Sequence, residues 1–325
     1  MVKPKLVIGM PVYNGATHLA ETLESILGQS FSDFHLLISD NGSTDASGDI
    51  CREFASKDDR VAYHLQPENL GVSGNFNYVF KPGEAPYFKW AAHDDPLDQN
   101  YLAACMERME SDPALAIAHC PSVQIDGDGE LIGIYDDLGL SGGRVSERFW
   151  RILWTVNIYE FYGVMRTEMV RKAMPIDVFF GAERNVLGDI LLQGDIAYID
   201  EPLFLRRDHE EAVTAMHLDA KSEGDFDRMQ KEFAPKVDIG SVGTSVVKTK
   251  AYAGSILRFP MPIQERIACF SALSDWFVRS TLQRTLGVGR DHHWELQRTR
   301  RIAHPNCDRY VAEAMKEKPA LAESA

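Results

Sequence analysis

Residues 5–12 (KLVIGMPV) form a short, nearly unbroken apolar run that stops at Tyr13-Asn14-Gly15. An apolar run this short reads as a strand buried on both faces. The same device recurs twice. Residues 34–39 (FHLLIS) end at Asp40-Asn41-Gly42-Ser43, and residues 87–92 (YFKWAA) end at His93-Asp94-Asp95. A helical pattern follows the first run, with Leu19, Leu23, Ile26 and Leu27 on one face. Residues 45–55 read as a second helix, and residues 60–65 and 115–124 as further strands. Strands that alternate with helices through short links predict a mostly parallel sheet with right-handed crossovers. In such sheets ligands bind beyond the C-terminal ends of the strands. All three polar segments follow strands at that end, so they converge on one edge of the sheet.

The 325 residues are enough for one large α/β domain, or for a domain with an appendage. A net charge of −14 argues against nucleic acid as a partner, which calls for a basic surface. It leaves room for one anionic ligand, because a bound cation reverses the sign locally. The acid is unevenly spread. Residues 250–310 hold ten Lys/Arg against five Asp/Glu, and this marks a distinct C-terminal segment. The five cysteines have no metal-ligand spacing, and their odd number rules out complete pairing within one chain, so buried, reduced thiols are expected. No window reaches the roughly 18 apolar residues of a membrane span. The first residues lack a signal-peptide pattern, which points to the cytoplasm, with peripheral contact at the inner face of a membrane as a further expectation.

The second half is less regular. Residues 127–143 are rich in Gly and Asp and read as a loop over the site. Helical patterns appear at 146–155 and 186–193, a strand at 196–205, and a strong helix at 264–286. The stretch 215–250 is polar and unassigned. Two uses are open for the C-terminal helix. Trp276 and Phe277, with Arg279, Arg284, Arg298, Arg300 and Arg301, could make an aromatic and basic membrane contact. Alternatively, the helix packs on the domain or on a second copy in a homodimer.

Each polar segment has a physical reading of its own. A carboxylate such as Asp40 at a strand end can accept hydrogen bonds from a base or ribose, while Asp45 suits a helix cap. Two adjacent carboxylates, Asp94 and Asp95, are costly unless something neutralises them, and a hard divalent cation shared with a diphosphate would do so.

The order PVYNG, DNGSTD, NLGVSGNFN and HDD resembles family 2 glycosyltransferases, whose fold is GT-A: Rossmann-like α/β, with a mostly parallel central sheet flanked by helices. The resemblance covers roughly residues 4–210. It implies a catalytic domain over residues 1–212, with a nucleotide-binding half to about 125 and an acceptor half from 126, then a mainly helical extension over 213–325. It also implies that Pro11, Tyr13 and Asn14 line the base and ribose pocket and that Asp40 contacts the base. Asn41 and Gly42 would share in nucleotide binding, with Asn69, Gly71 and Asn75 nearby. The HDD turn departs from the family's DxD metal motif. Placing Asp94 last puts Ala92 first, and placing Asp95 last puts His93 first. Asp94 and Asp95 are therefore taken jointly as ligands of Mn²⁺ or Mg²⁺, with Asp94 also close to the nucleotide.

By the same resemblance Glu183 is the general base, with Asp189 as the alternative. Residues 206–209 match an R-x-x-H segment at the rim of the donor site. There His209 would complete the metal shell, and Arg206 or Arg207 would stabilise leaving-group charge. Tyr162 opens a segment like the family's acceptor side. The implied activity is an inverting transfer from a UDP- or GDP-sugar to a glycan or lipid-linked acceptor, in polysaccharide or glycolipid synthesis. The alternatives are a sugar-nucleotide pyrophosphorylase or a non-catalytic nucleotide-sugar-binding module.

Overall fold

The computed structural model describes residues 3–81, 83–135, 138–155, 157–179, 181–209 and 244–286. The first apolar run becomes β1 (Leu6–Val12), buried at every residue. Then follow α1 (Ala16–Leu27), β2 (Phe34–Asp40), α2 (Ser47–Lys57), β3 (Val61–Leu65), α3 (Gly71–Val79) and β4 (Tyr87–Trp90). Next come α4 (Tyr101–Ser111), β5 (Leu115–His119), β6 (Ser122–Ile125), β7 (Leu131–Tyr135) and α5 (Val145–Trp154). A 3-10 turn (Tyr159–Tyr162) leads into β8 (Val164–Arg166), α6 (Thr167–Ala173), α7 (Ala182–Leu191), β9 (Asp195–Tyr198) and β10 (Phe204–Arg207). The described C-terminal helices are α8 (Thr244–Arg258) and α9 (Ile263–Leu286).

The main sheet has the order β3-β2-β1-β4-β8-β5-β9. It is parallel except for β8, which runs antiparallel to both β4 and β5. The predicted convergence follows from the register. Val12 at the end of β1 lies beside Asp40 at the end of β2, and Asp40 lies beside Leu65 at the end of β3.

Two of the expected strands are each split in two. Residues 115–124 break at Cys120-Pro121, and residues 196–205 break around Pro202. Proline has no N–H for a ladder, so a strand stops or turns there. The split has a purpose in the fold. β5 and β9 are neighbours in the main sheet, while β6 and β10 are neighbours in a second sheet of order β10-β6-β7. Two chain segments thus leave the large sheet side by side, tied at the corner by Ile199 N–H donating to the His119 carbonyl (2.8 Å). Helices α3, α4, α6 and α8 and strands β7 and β8 were not anticipated, and β7 corrects the reading of residues 127–143 as a loop, because it pairs with β6 in the second sheet. Gly71 begins α3 at a φ of +74°, a conformation that glycine adopts without strain.

The main core lies on both faces of the sheet. Leu19, Leu23 and Ile26 of α1 cover one face, and Val79 and Phe80 with Val186, Leu187 and Ile190 of α7 cover the other. A third apolar cluster joins the C-terminal helices to the rest: Tyr252, Ile256, Leu273 and Trp276 pack against Phe149, Leu153 and Leu192. Trp276 therefore faces inward, and its ring meets Tyr252 edge-on at 5.9 Å. Arg279 pairs with Asp275 on its own helix. The aromatic and basic surface expected there does not form around these two residues. The side chain of Arg284, and residues 298, 300 and 301, lie outside what is described. Cys51, Cys105, Cys120 and Cys269 are buried free thiols, as expected, and Cys307 lies outside the described residues. No described helix is long and apolar enough to cross a membrane.

Candidate active site

The floor of the site is the turn after β2. Asp40 is 1% exposed, and both of its carboxylate oxygens are occupied. One accepts the Ser43 N–H (2.8 Å) and the other the Tyr63 hydroxyl (2.9 Å). The carboxylate is thereby committed to holding its own turn. Each oxygen keeps a second lone pair, so the expected contact with a base adds to these bonds rather than competing with them. Asn41 is also buried. Its side-chain amide donates to Asn69 Oδ1 (2.9 Å) and the Gly71 carbonyl (3.3 Å), and its Oδ1 accepts the Leu70 N–H (2.8 Å). Asn75 spans Ser39 and Val12, donating to the Ser39 carbonyl at 3.0 Å and accepting the Ser39 hydroxyl at 2.6 Å. Asn41, Asn69 and Asn75 therefore fasten the 69–75 segment to the strand ends from behind.

The residues left standing open belong to the first turn. Pro11 is buried in β1, whereas Tyr13 is 47% exposed. Asn14 has a left-handed φ of +49° and accepts the Thr44 N–H at 2.8 Å, and Gly42 opposite it has φ +78°. Asp45 joins the two turns by accepting from Ala16 N–H at the head of α1 and Ser47 N–H at the head of α2, both at 3.0 Å. Burial would push its carboxyl up, but these donors, with the Ser47 hydroxyl, hold it below its ordinary value.

At the end of β4 the structure separates the aspartate pair. Asp94 Oδ2 lies 3.0 Å from His209 Nε2. Burial opposes its charge, yet His93, His209 and Arg206 together hold its carboxyl well below the carboxylate range. Asp95 turns inward, accepting from the Arg207 backbone N–H (2.8 Å) and the Arg206 guanidinium (3.3 Å). Burial and the adjacent Asp94 push its carboxyl up to about 6 against the pull of Arg206. Asp95 thus braces β4 against β10 through Oδ1.

The two arginines brace the site as well. Arg206 pairs with Asp95 and lies over the Tyr159 ring at 5.8 Å. Arg207 is 1% exposed. Its guanidinium donates to the carbonyls of Asp94 (3.2 Å), Asp126 (3.3 Å) and Gly127 (3.2 Å), and to Glu21 on α1 (2.6 Å).

Glu183 sits in the first turn of α7, half-buried, where a helix N-terminus favours a carboxylate. Burial nevertheless raises its pKa, against Arg184 and Lys248. Tyr162 links the two acidic regions. Burial, Asp95, Asp94 and Glu183 all drive its phenol upward, so the ring lies within electrostatic reach of all three carboxylates. It stacks on Phe204 (6.1 Å, 13° between planes). Asp189, the alternative base, is fully buried and paired with Arg258 (3.1 Å) between α7 and α8, so it is no candidate for contact with a substrate.

Sequence reasoning missed His18, which joins His93 and His209 around Asp94. His18 on α1 meets His209 edge-on at 5.0 Å, and burial with Arg207 and His209 lowers its pKa. His93 lies against Gly15, where an added Cβ would fall 1.9 Å from the imidazole. The separation of His18 from His209 in the chain carries no signal. Only the fold brings them together.

The family model described as glycosyl transferase family 2 matches residues 7–189. The chain belongs to that family. Residues 206–209 lie beyond the matched span, so their place beside Asp94 rests on geometry. Among family relatives, glycosyltransferase GlyA of Streptococcus pneumoniae is 32% identical over 109 residues, 34% of this chain and 16% of that protein. The GalNAc(5)-diNAcBac-PP-undecaprenol beta-1,3-glucosyltransferase of Campylobacter jejuni is 25% identical over 56% of this chain and 58% of its own length. The chain thus spans less than two thirds of either relative.

Two solved structures share the fold. S. aureus TarS 1-349 in complex with UDP-GlcNAc has a TM-score of 0.53 at 14% identity, covering 86% of this chain and 92% of that one. The mannosyltransferase PcManGT from Pyrobaculum calidifontis, in complex with GDP-Man and Mn²⁺, has a TM-score of 0.51 at 12% identity, covering 97% and 87%. The family 2 chain therefore has the GT-A fold, as expected.

Proposed function

We propose that this family 2 chain moves a sugar from a nucleoside diphosphate sugar to an acceptor hydroxyl by a single inverting displacement. One observation carries the reading. The turns after β1, β2 and β4 gather at one edge of the sheet, where Asp94 lies 3.0 Å from His209. A donor held on these turns would take Glu183, at the head of α7, as the carboxylate for its acceptor.

Glu183 is the general base, taking the proton of the acceptor hydroxyl as it attacks the anomeric carbon. Its raised pKa suits a base that must gain a proton as well as lose one. Tyr13, Asn14 and Gly42 border the nucleotide, with Asp40, Asn41, Asn69 and Asn75 holding that border from behind. Asp94 and His209 would hold a divalent cation. Their 3.0 Å separation matches adjacent corners of an octahedron with bonds of about 2.1 Å. Among the described residues no group of three or more His, Cys, Asp or Glu could hold a metal by itself, so diphosphate oxygens and water would complete the shell. When bound, Mn²⁺ or Mg²⁺ supplies positive charge for the leaving diphosphate.

The donor base is uracil or guanine, and the acceptor is a glycan or lipid-linked sugar. Catalysis is assigned to residues 1–212, with the C-terminal helices as an extension. The test is Glu183→Gln. Transfer should fall to background while UDP or GDP binds as in wild type. A variant that transfers sugar at the normal rate would remove Glu183 as base.

A further inference from the structure

Beneath the site lies a polar cluster that the reaction as proposed does not use. Lys89 on β4 is 0% exposed. Its ammonium donates to the Tyr162 carbonyl and faces two rings, Tyr101 at 4.9 Å and Phe204 at 5.4 Å. The Tyr101 hydroxyl donates to the same carbonyl at 3.2 Å and lies 2.9 Å from His119 Nδ1. With the hydroxyl proton on the carbonyl, His119 must donate from Nδ1, which agrees with burial keeping that imidazole neutral.

A buried ammonium is costly when no carboxylate touches it. Apolar residues would fill this place at less cost, so the charge needs a reason. The reason is the residue it holds. Tyr162 ends the 3-10 turn just before β8, and burial with the charges of Asp95, Asp94 and Glu183 drives its phenol upward. The ring stacks on Phe204, which also meets the rings of Tyr101 and His119 and the Lys89 ammonium.

We propose that Lys89 is a positioning residue for the acceptor side: from β4 it fixes the Tyr162 carbonyl, and with it the Tyr162 ring stacked on Phe204. The inference rests on the transferase reading. It also has a signature of its own. Burial pushes the Lys89 amine down to about 8. The titratable groups facing it are Tyr101 and Cys105 on α4, Cys120 beyond β5, His119 and Asp95. Burial drives Tyr101, Cys105 and Cys120 upward and His119 downward, and Asp95 changes charge near 6. Between about pH 7 and about pH 9, Lys89 is therefore the group of this cluster that changes charge. As pH rises through that window the ammonium loses its proton and its grip on the carbonyl weakens.

The chain contains one Tyr-Gly step, Tyr162-Gly163. Carbonyl-¹³C tyrosine combined with ¹⁵N glycine therefore gives one NMR correlation that reports the Tyr162 carbonyl. In wild type this carbonyl shift should titrate with a midpoint of about 8. In Lys89→Met it should be displaced and flat, while the variant binds UDP or GDP with wild-type affinity. Nucleotide release from the matching UDP- or GDP-sugar should fall about tenfold or more in turnover, with the KM for donor unchanged. A wild-type signal that is flat over this range overturns the proposal, and this arm survives even if the variant fails to fold. A folded variant with unaltered signal or full turnover also overturns it. If wild type binds neither UDP nor GDP, it is the transferase reading that fails instead.

Discussion

At the residue scale, the site works by dividing labour among like groups. Asp94 and Asp95 are adjacent in sequence, yet one turns toward His209 and the other toward Arg206 and the Arg207 backbone. Glu183 and Asp189 divide in the same way. Both have raised pKa values from burial, but Asp189 is closed between α7 and α8 while Glu183 stays half-exposed at the helix head. Lys248, whose ammonium an added Cβ on Gly181 would meet at 3.1 Å, pulls the Glu183 pKa down. Removing that charge should make the carboxylate harder to form. Lys248→Met is therefore expected to move the acid limb of the rate profile to higher pH, because the base must be deprotonated to act. A rate profile measured on both proteins decides this, and a limb that stays in place or moves lower contradicts it.

At the element scale, β10 is the piece that closes the site. It reaches the large sheet through Asp95, the 126–127 loop through the Arg207 guanidinium, and α1 through Glu21. One side chain thus ties three elements that are far apart in sequence. Replacing it leaves the half-buried carbonyls of Asp94 and Asp126 and the exposed one of Gly127 without that donor, and Glu21 without its buried partner, at a cost expected to reach about 3 kcal/mol. Arg207→Leu should therefore lower the urea midpoint clearly and weaken nucleotide binding through His209, which follows two residues later. A midpoint equal to wild type would mean that β10 is held by other contacts.

At the scale of the whole molecule, α8 and α9 belong to the body of the protein through one apolar cluster. Trp276 is 7% exposed at its centre, between Tyr252 and the α5 side. Trp276→Ala should open a cavity and cost roughly 3–5 kcal/mol in global unfolding. Nucleotide affinity should be unaffected, because the strand-end turns lie on another part of the fold. Unfolding followed by fluorescence and by nucleotide titration separates the two effects. A loss of affinity with stability intact would place the helices in the site instead.

Much of the fold was legible in the sequence because burial on both faces leaves an apolar run that nothing else explains. The runs at β1, β2 and β4 stop at polar turns, and parallel pairing puts those turns at one edge. The two split strands were not legible, since residues 115–124 and 196–205 each read as continuous apolar stretches. Their division between two sheets depends on pairing partners distant in the chain. Helix α3 was hidden by its glycines and polar residues, and β8 by its three-residue length.

The sequence by itself determined the α/β architecture, the edge where the site lies and the residue types gathered there. Hydrophobic period and strand-end punctuation are local, and local patterns survive in one dimension. Tertiary structure alone decided which member of each acidic or basic pair faces the opening. Asp40, Asp95, Arg206 and Arg207 turned out to be committed to internal partners, while Asp94 met His209 and Tyr162 came to rest over Lys89. The physical reason is that a buried polar group must find its partner wherever the fold places one, three residues away for Asp40 and Ser43 and 111 away for Asp95 and Arg206.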